Sequence, residues 1–134
     1  MNDVFVGRLM SSPVHTVSPE TTIQSAAAMM VENDISSVVV VDDRNRLRGI
    51  LTSTDLLQIA AENRRSTDTM VESYMSLDVV TTTVNESIRD VADTIIENGF
   101  HHVPVVDAED GVIGMITTTD FTSYLSHVQT PSPH

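Results

Sequence analysis

Gly49-Ile50-Leu51-Thr52-Ser53-Thr54-Asp55 decides the fold, because it returns as Gly114-Met115-Ile116-Thr117-Thr118-Thr119-Asp120, sixty-five residues on. Each copy opens on an apolar, strand-like triplet, passes through hydroxyl residues and reaches an Asp. In the first copy a helix-like run follows, Leu56-Leu57-Gln58-Ile59-Ala60-Ala61. A strand that turns straight into a helix leaves free N–H groups at the helix start, where an anion can sit. Ligands also bind beyond the carboxyl ends of strands in open α/β sheets. A strand-end hydroxyl and a carboxylate one turn later would face such a cleft and suit a sugar diol beside a phosphate. The competing reading is that Asp55 and Asp120 simply cap helices, a position Asp favours. Two copies in one short chain favour a site.

Outward from this motif, a gapless offset of sixty-five aligns Met10 with Met75 and continues through Asp55 and Asp120. Identical pairs include Ser11/Ser76, Thr16/Thr81, Ile23/Ile88, Asn33/Asn98, Val40/Val105, Gly49/Gly114 and Thr52/Thr117. The chain is therefore two copies of one unit, each too small to bury much core alone, so the halves are expected to pack together. In the first copy Val14-His15-Thr16-Val17 reads as a short strand. Ile23, Ala26, Ala27, Met30 and Val31 form a helical stripe that ends near Asn33, the expected left-handed cap. Ser37-Val38-Val39-Val40-Val41 is a buried strand, Asp42 to Arg46 a turn, and Leu47 to Leu51 the returning strand. A second helix is expected from about Asp55 to Glu62. The second copy repeats this order, with Asn98-Gly99 as its helix stop and Pro104 at a strand start or edge. The predicted fold class is α/β, two β-α-β-β-α repeats at 6–62 and 71–127. A linker at 63–70 and a disordered tail at 128–134 complete it.

The chain holds 134 residues, with 19 acidic residues against seven Arg and no Lys, a formal charge of -12. That balance argues against nucleic acid, whose binding needs cations for the phosphates, and against anionic lipid. A Lys-free acidic surface is expected of a protein from a salt-loaded cytoplasm, where a Debye length of ~3 Å at molar salt screens self-repulsion. The start Met1-Asn2-Asp3-Val4 lacks a basic, apolar signal sequence, so a cytoplasmic location is expected. No cysteine is present, so thiol chemistry is excluded.

The doubled β-α-β-β-α order, the two Gly-to-Asp motifs, and Asn98-Gly99-Phe100-His101-His102-Val103-Pro104-Val105-Val106-Asp107 resemble the CBS domain pair, or Bateman module. The family is named after cystathionine β-synthase, and the likeness covers about Val6 to His127. It implies one pseudo-twofold globule with two clefts for an adenosine compound: AMP, ADP, ATP, NAD or S-adenosylmethionine. It also implies a sensor of no catalytic activity, working as a homodimer and controlling an unknown protein. By resemblance, Asp55 and Asp120 would accept from the ribose hydroxyls, and Thr52 and Thr117 would donate to a phosphate. Ile35-Ser36-Ser37 and Phe100-His101-His102 would read adenine. Thr16, Thr81, Thr54 and Thr119 complete the candidate set. Each cleft would take its base-contacting segment from one repeat and its Asp from the other. The first copy departs from the family pattern at Val39, where Pro is favoured, and lacks the His pair.

His101 and His102 are neighbours at a strand start, where adjacent side chains point to opposite faces, so they cannot chelate one metal together. No metal site is expected. No nucleophile elbow is present, which leaves a hydrolase or transferase using His101 or His102 as a third reading behind sensor and structural dimerisation module. Residues 1–66 carry six Arg against eight acids, whereas Arg89 alone faces eleven acids in residues 67–134. So few cations favour AMP or S-adenosylmethionine over ATP, which would need Mg²⁺.

Overall fold

A computed structural model describes residues 4–129. They fall into two compact units: residues 14–79 with 108–112, and residues 4–13, 80–107 and 113–129. We call these the first-repeat and second-repeat units.

In the first-repeat unit, β1 (Thr16–Val17) lies parallel to β2 (Ser37–Val41), which runs antiparallel to β3 (Leu47–Thr52). Helices α2 (Ile23–Asn33) and α3 (Ser53–Ala61) complete the repeat. β-Branched residues suit the central strand, and Val38 to Val41 are all buried. The core gathers Ile23, Ala26 and Met30 of α2, Val38 and Val40 of β2, Leu51 and Ile59. Thr22 caps α2 by accepting from the Ser25 N–H at 3.2 Å. The left-handed stop falls on Asp34 (φ 53°), not on the expected Asn33, whose side chain instead donates to the Met29 carbonyl. Asp34 tolerates this conformation as Asn would.

The second-repeat unit holds α1 (Val6–Leu9), α4 (Ile88–Asn98), β4 (His102–Asp107), most of β5 (Gly111–Thr117) and α5 (Thr118–Gln129). Its core is Val6, Val91, Ile95, Val103, Val105 and Ile116. Gly99 (φ 72°) ends α4 as the sequence predicts. The strand corresponding to β1 shrinks to one parallel bridge, Thr82 to Val105. Pro104 explains this. In the first repeat the Val39 N–H donates to the His15 carbonyl, and Pro104 at the equivalent position has no N–H to give. Pro104 is the third residue of β4, and its carbonyl accepts from Thr82 at 3.0 Å. Helix α5 extends through Gln129, two residues into the segment expected to be a disordered tail. Residues 130–134 lie outside the described part.

Each unit is completed by the segment that precedes the other repeat. Val6 N donates to Glu86 O and Ile88 N to Val4 O in one unit, while Val71 N donates to Thr21 O and Ile23 N to Thr69 O in the other. Ser11 bridges Met115, and Ser76 bridges Ile50. Every one of these pairs is related by the same offset. The approach explains Gly49 and Gly114: a Cβ there would lie 2.7 Å from the Ser76 carbonyl oxygen and 2.7 Å from the Met10 sulfur, respectively. Thus the stretch assigned to the linker by sequence is strapped along the first repeat, with Thr69 buried.

Candidate functional site

The corner at which β3 becomes α3 is built from the quoted motif, and β5 into α5 repeats it. Helix α3 begins at Ser53, two residues before the expected start, because Thr52 and not Asp55 is the N-cap. Asp55 sits at the third helical position and closes a capping box. Its Oδ2 accepts from the Thr52 N–H at 2.8 Å and from the Thr52 hydroxyl at 3.3 Å. In the second repeat, Asp120 Oδ2 accepts from the Thr117 N–H at 2.8 Å and hydroxyl at 3.2 Å. The Asp120 N–H returns a bond to the Thr117 hydroxyl at 3.3 Å.

Neither carboxylate is spent by its cap. Among the described residues Oδ1 of each Asp has no hydrogen-bond partner, and both side chains are half-buried. The helix-start N–H groups are mostly committed. Ser53 N donates to the Ser36 carbonyl at 3.0 Å, and Thr118 N to the His101 carbonyl at 3.2 Å. That leaves the N–H groups of Thr54 and Thr119, both exposed residues, as the open backbone donors of the two corners among the described residues. The hydroxyl protons of Thr52 and Thr117 are directed at their own Asp partners, so an incoming phosphate would have to compete for them.

The same bonds bring the proposed base-reading segments to the corners. Ser37 pairs with Thr52 across β2 and β3, with Ile35 and Ser37 half-buried and Ser36 exposed. Phe100 and His102 are half-buried and His101 is exposed. Thr16 pairs with Val39, whose partner on the other side is Ile50, so it lies level with the middle of β2, which separates it from the corner strand β3. Thr81 is exposed beside the Thr82 bridge. Thr82, which sequence reasoning passed over, is buried and bonds Glu86 through its hydroxyl. A polar residue followed four positions later by Glu is the signal that could have found it.

The arginines of the first repeat stand away from its corner. At about 3.3 Å per residue, Arg46 lies roughly 20 Å along β3 from Thr52. Arg64 and Arg65 follow the far end of α3, roughly 13 Å of helix away. Arg65 is paired with Asp68 at 3.6 Å, and Arg64 lies over the Tyr74 ring. Of the cation surplus read from the sequence, Arg44 and Arg46 lie at the turn, Arg64 and Arg65 at the helix end, Arg48 within β3, and Arg8 on α1 of the second-repeat unit.

Burial pushes the His102 imidazole below its ordinary pKa, and His101 beside it adds to the effect. A folded-state pKa below the unfolded one means the unfolded chain binds more protons as pH falls through the ordinary histidine range. His102 thus contributes stability that is present above that range and is lost as pH drops through it. Melting curves from pH 7.5 to 5.5 are expected to fall less steeply in His102→Gln than in the unaltered protein. An identical slope would contradict this.

Two strand-to-helix corners on a doubled β-α-β-β-α scaffold define a tandem-repeat α/β protein with two quasi-equivalent candidate ligand corners. The chain belongs to the CBS domain family, which it matches twice, over residues 6–62 and 71–127. It is 34% identical over 125 residues to an uncharacterized 17.7 kDa protein of Acidianus ambivalens, covering 93% of this chain and 75% of that one. It is 29% identical to a homoserine O-acetyltransferase of Methanococcus vannielii, matching 94% of this chain but only 26% of the enzyme. Among solved structures, the CBS domain pair of protein MJ0100, in complex with 5′-methylthioadenosine and S-adenosyl-L-methionine, aligns with a TM-score of 0.87 and 27% identity. The alignment covers 95% of this chain and 99% of that pair. No helix among the described residues is long and apolar enough to cross a membrane.

Proposed function

We propose that the chain is a regulatory module that binds an adenosine-containing small molecule at its strand-to-helix corners and has no catalysis of its own. The observation that carries this reading is the pair of corner carboxylates, each with an uncommitted Oδ1 beside an open N–H. A carboxylate with acceptor capacity to spare suits a ribose diol. The 27% identical MJ0100 pair, with its methylthioadenosine and S-adenosyl-L-methionine, supports the ligand class. On this reading the candidate set is the one named from the sequence: Thr16, Thr52, Thr54, Asp55 and Ile35 to Ser37 in one repeat, and Thr81, Thr117, Thr119, Asp120 and Phe100 to His102 in the other. Ligand binding shifts the population of conformers that a partner protein reads. The protein works as a homodimer in a salt-rich cytoplasm. The test is a thermal-shift series with AMP, ADP, ATP, NAD and S-adenosylmethionine at low and high salt. A ligand at 100 times its Kd stabilises by about 2.7 kcal/mol, so at least one should raise Tm by several degrees. No shift with any of them contradicts the reading.

The capping boxes favour a second reading, a dimerisation module in which Asp55 and Asp120 serve only the fold. It predicts that their substitution changes stability alone.

A further inference from the structure

In the first-repeat unit the strapped segment closes against α2 and α3. Gln24 N donates to the Ser66 carbonyl at 3.1 Å and Arg64 N to the Ile59 carbonyl at 3.1 Å, and Ile23, Ile59 and Thr69 are buried. In the second-repeat unit the corresponding faces of α4 and α5 bound a groove of about 290 Å³. Ile88, Ala92, Phe121 and Leu125 wall it, and Arg89 and Tyr124 add a guanidinium and a phenol. Under the sixty-five-residue offset, Gln24, Leu56, Ile59 and Ala60 have become Arg89, Phe121, Tyr124 and Leu125. The Arg89 N–H takes the Ser87 hydroxyl at 3.1 Å where Gln24 takes a strap carbonyl. Ile88, Phe121 and Tyr124 are half-buried and Leu125 is exposed. Among the described residues the Tyr124 hydroxyl has no hydrogen-bond partner.

These groups suit one kind of small molecule. Two aromatic rings beside aliphatic walls take an apolar ring or a short chain, and the volume lies at the small end of ligand pockets. Arg89 is the single Arg or Lys of residues 67–134. Its guanidinium has five donors, in a fork that fits a carboxylate with two parallel bonds. Asp90 and Asp93 stand on the same helix, so one negative charge is favoured over the two of a phosphate. We infer that the α4–α5 groove is a second binding site, for a small apolar monocarboxylate. It is separate from the strand-to-helix corners, since none of its lining residues belongs to the adenosine candidate set, and it does not rest on the adenosine reading.

Phenylacetate and its neutral counterpart phenylacetamide test the site on the full chain by ¹H–¹⁵N correlation spectra. Phenylacetate should move the amides of Ser87 to Ala92 and of Phe121 to Leu125 saturably. Phenylacetamide should bind about tenfold more weakly, the scale of one hydrogen bond between charged groups. Arg89→Gln should weaken phenylacetate by a similar factor and leave phenylacetamide unchanged, whereas Ala92→Leu, which fills the groove, should weaken both. The acid-to-amide ratio is read on the unaltered protein and so depends on no variant's folding. Equal affinity for acid and amide, or a phenylacetate affinity that Arg89→Gln does not change, would overturn the inference. So would phenylacetate shifts confined to other residues, or none at millimolar concentration. Movement of the groove amides on dilution of the protein alone would give the groove to a second copy and overturn it equally.

Discussion

Leu51→Ala is expected to destabilise the protein by about 2–5 kcal/mol, and Ile116→Ala by a similar amount. The two residues are the same position of the repeat, and both are fully buried. Leu51 sits among Ile23, Ala26, Met30 and Val38, and Ile116 among Val91, Ile95, Val103 and Val105. Truncation removes the transfer free energy of three carbons and leaves a space that close-packed neighbours fill only partly. Against a total stability of about 5–15 kcal/mol, either loss is large. Urea denaturation followed by circular dichroism checks it, with the midpoint falling and the slope preserved. A loss below about 1 kcal/mol in both would mean that the two cores are not the foundation of the fold.

The second large effect concerns ligand affinity. On the proposed function, Asp55 and Asp120 keep two tasks apart on two oxygens, Oδ2 for the cap seen here and Oδ1 for a ligand. Asp→Ala removes both, so each substitution should cost about 1 kcal/mol of stability through the lost cap. Asp→Asn keeps a neutral oxygen for the Thr52 or Thr117 N–H and should retain most of that stability. Binding should weaken in both variants, because hydrogen bonds to a charged group contribute about 1.5–3 kcal/mol. That corresponds to a loss of roughly 10- to 150-fold at the altered corner. The pattern to look for is therefore a melting temperature that separates Ala from Asn, and an affinity that does not. If affinity holds while stability falls in Ala alone, the carboxylates are caps and nothing more.

Much of this fold was legible because its signals are local and doubled. Of the stripe Ile23, Ala26, Ala27, Met30 and Val31, periodicity placed Ile23, Ala26 and Met30 on the buried helix face but also included Val31, which is exposed, while the run Ser37 to Val41 placed the central strand. The constant offset then carried each assignment into the second repeat. What stayed hidden depends on distant partners. Nothing near Ser11 or Ser76 announces that each bridges an interior strand residue of the other repeat, Met115 and Ile50, although Gly49 and Gly114 mark the places of close approach. Pro104 was expected at a start or an edge, yet its consequence, the reduction of a strand to the Thr82 bridge, needed the pairing. The corner motif was readable as a motif, but its division of labour was not. Sequence put Asp55 at the helix start, whereas a Thr three residues earlier competes successfully for the N-cap. Composition counted the arginines without placing them, and the length of β3 and α3 sets Arg44, Arg46, Arg64 and Arg65 at the far ends of those elements from the first corner.

Backbone amide shifts test the proposed nucleoside-binding corners most directly. In a ¹H–¹⁵N correlation spectrum, titration with AMP or 5′-methylthioadenosine should move the amides of Thr52 to Asp55, of Thr117 to Asp120, or of both. The open Thr54 and Thr119 N–H groups should move most. Saturable shifts confined to residues away from both corners, or none at millimolar nucleoside, would contradict the proposed site.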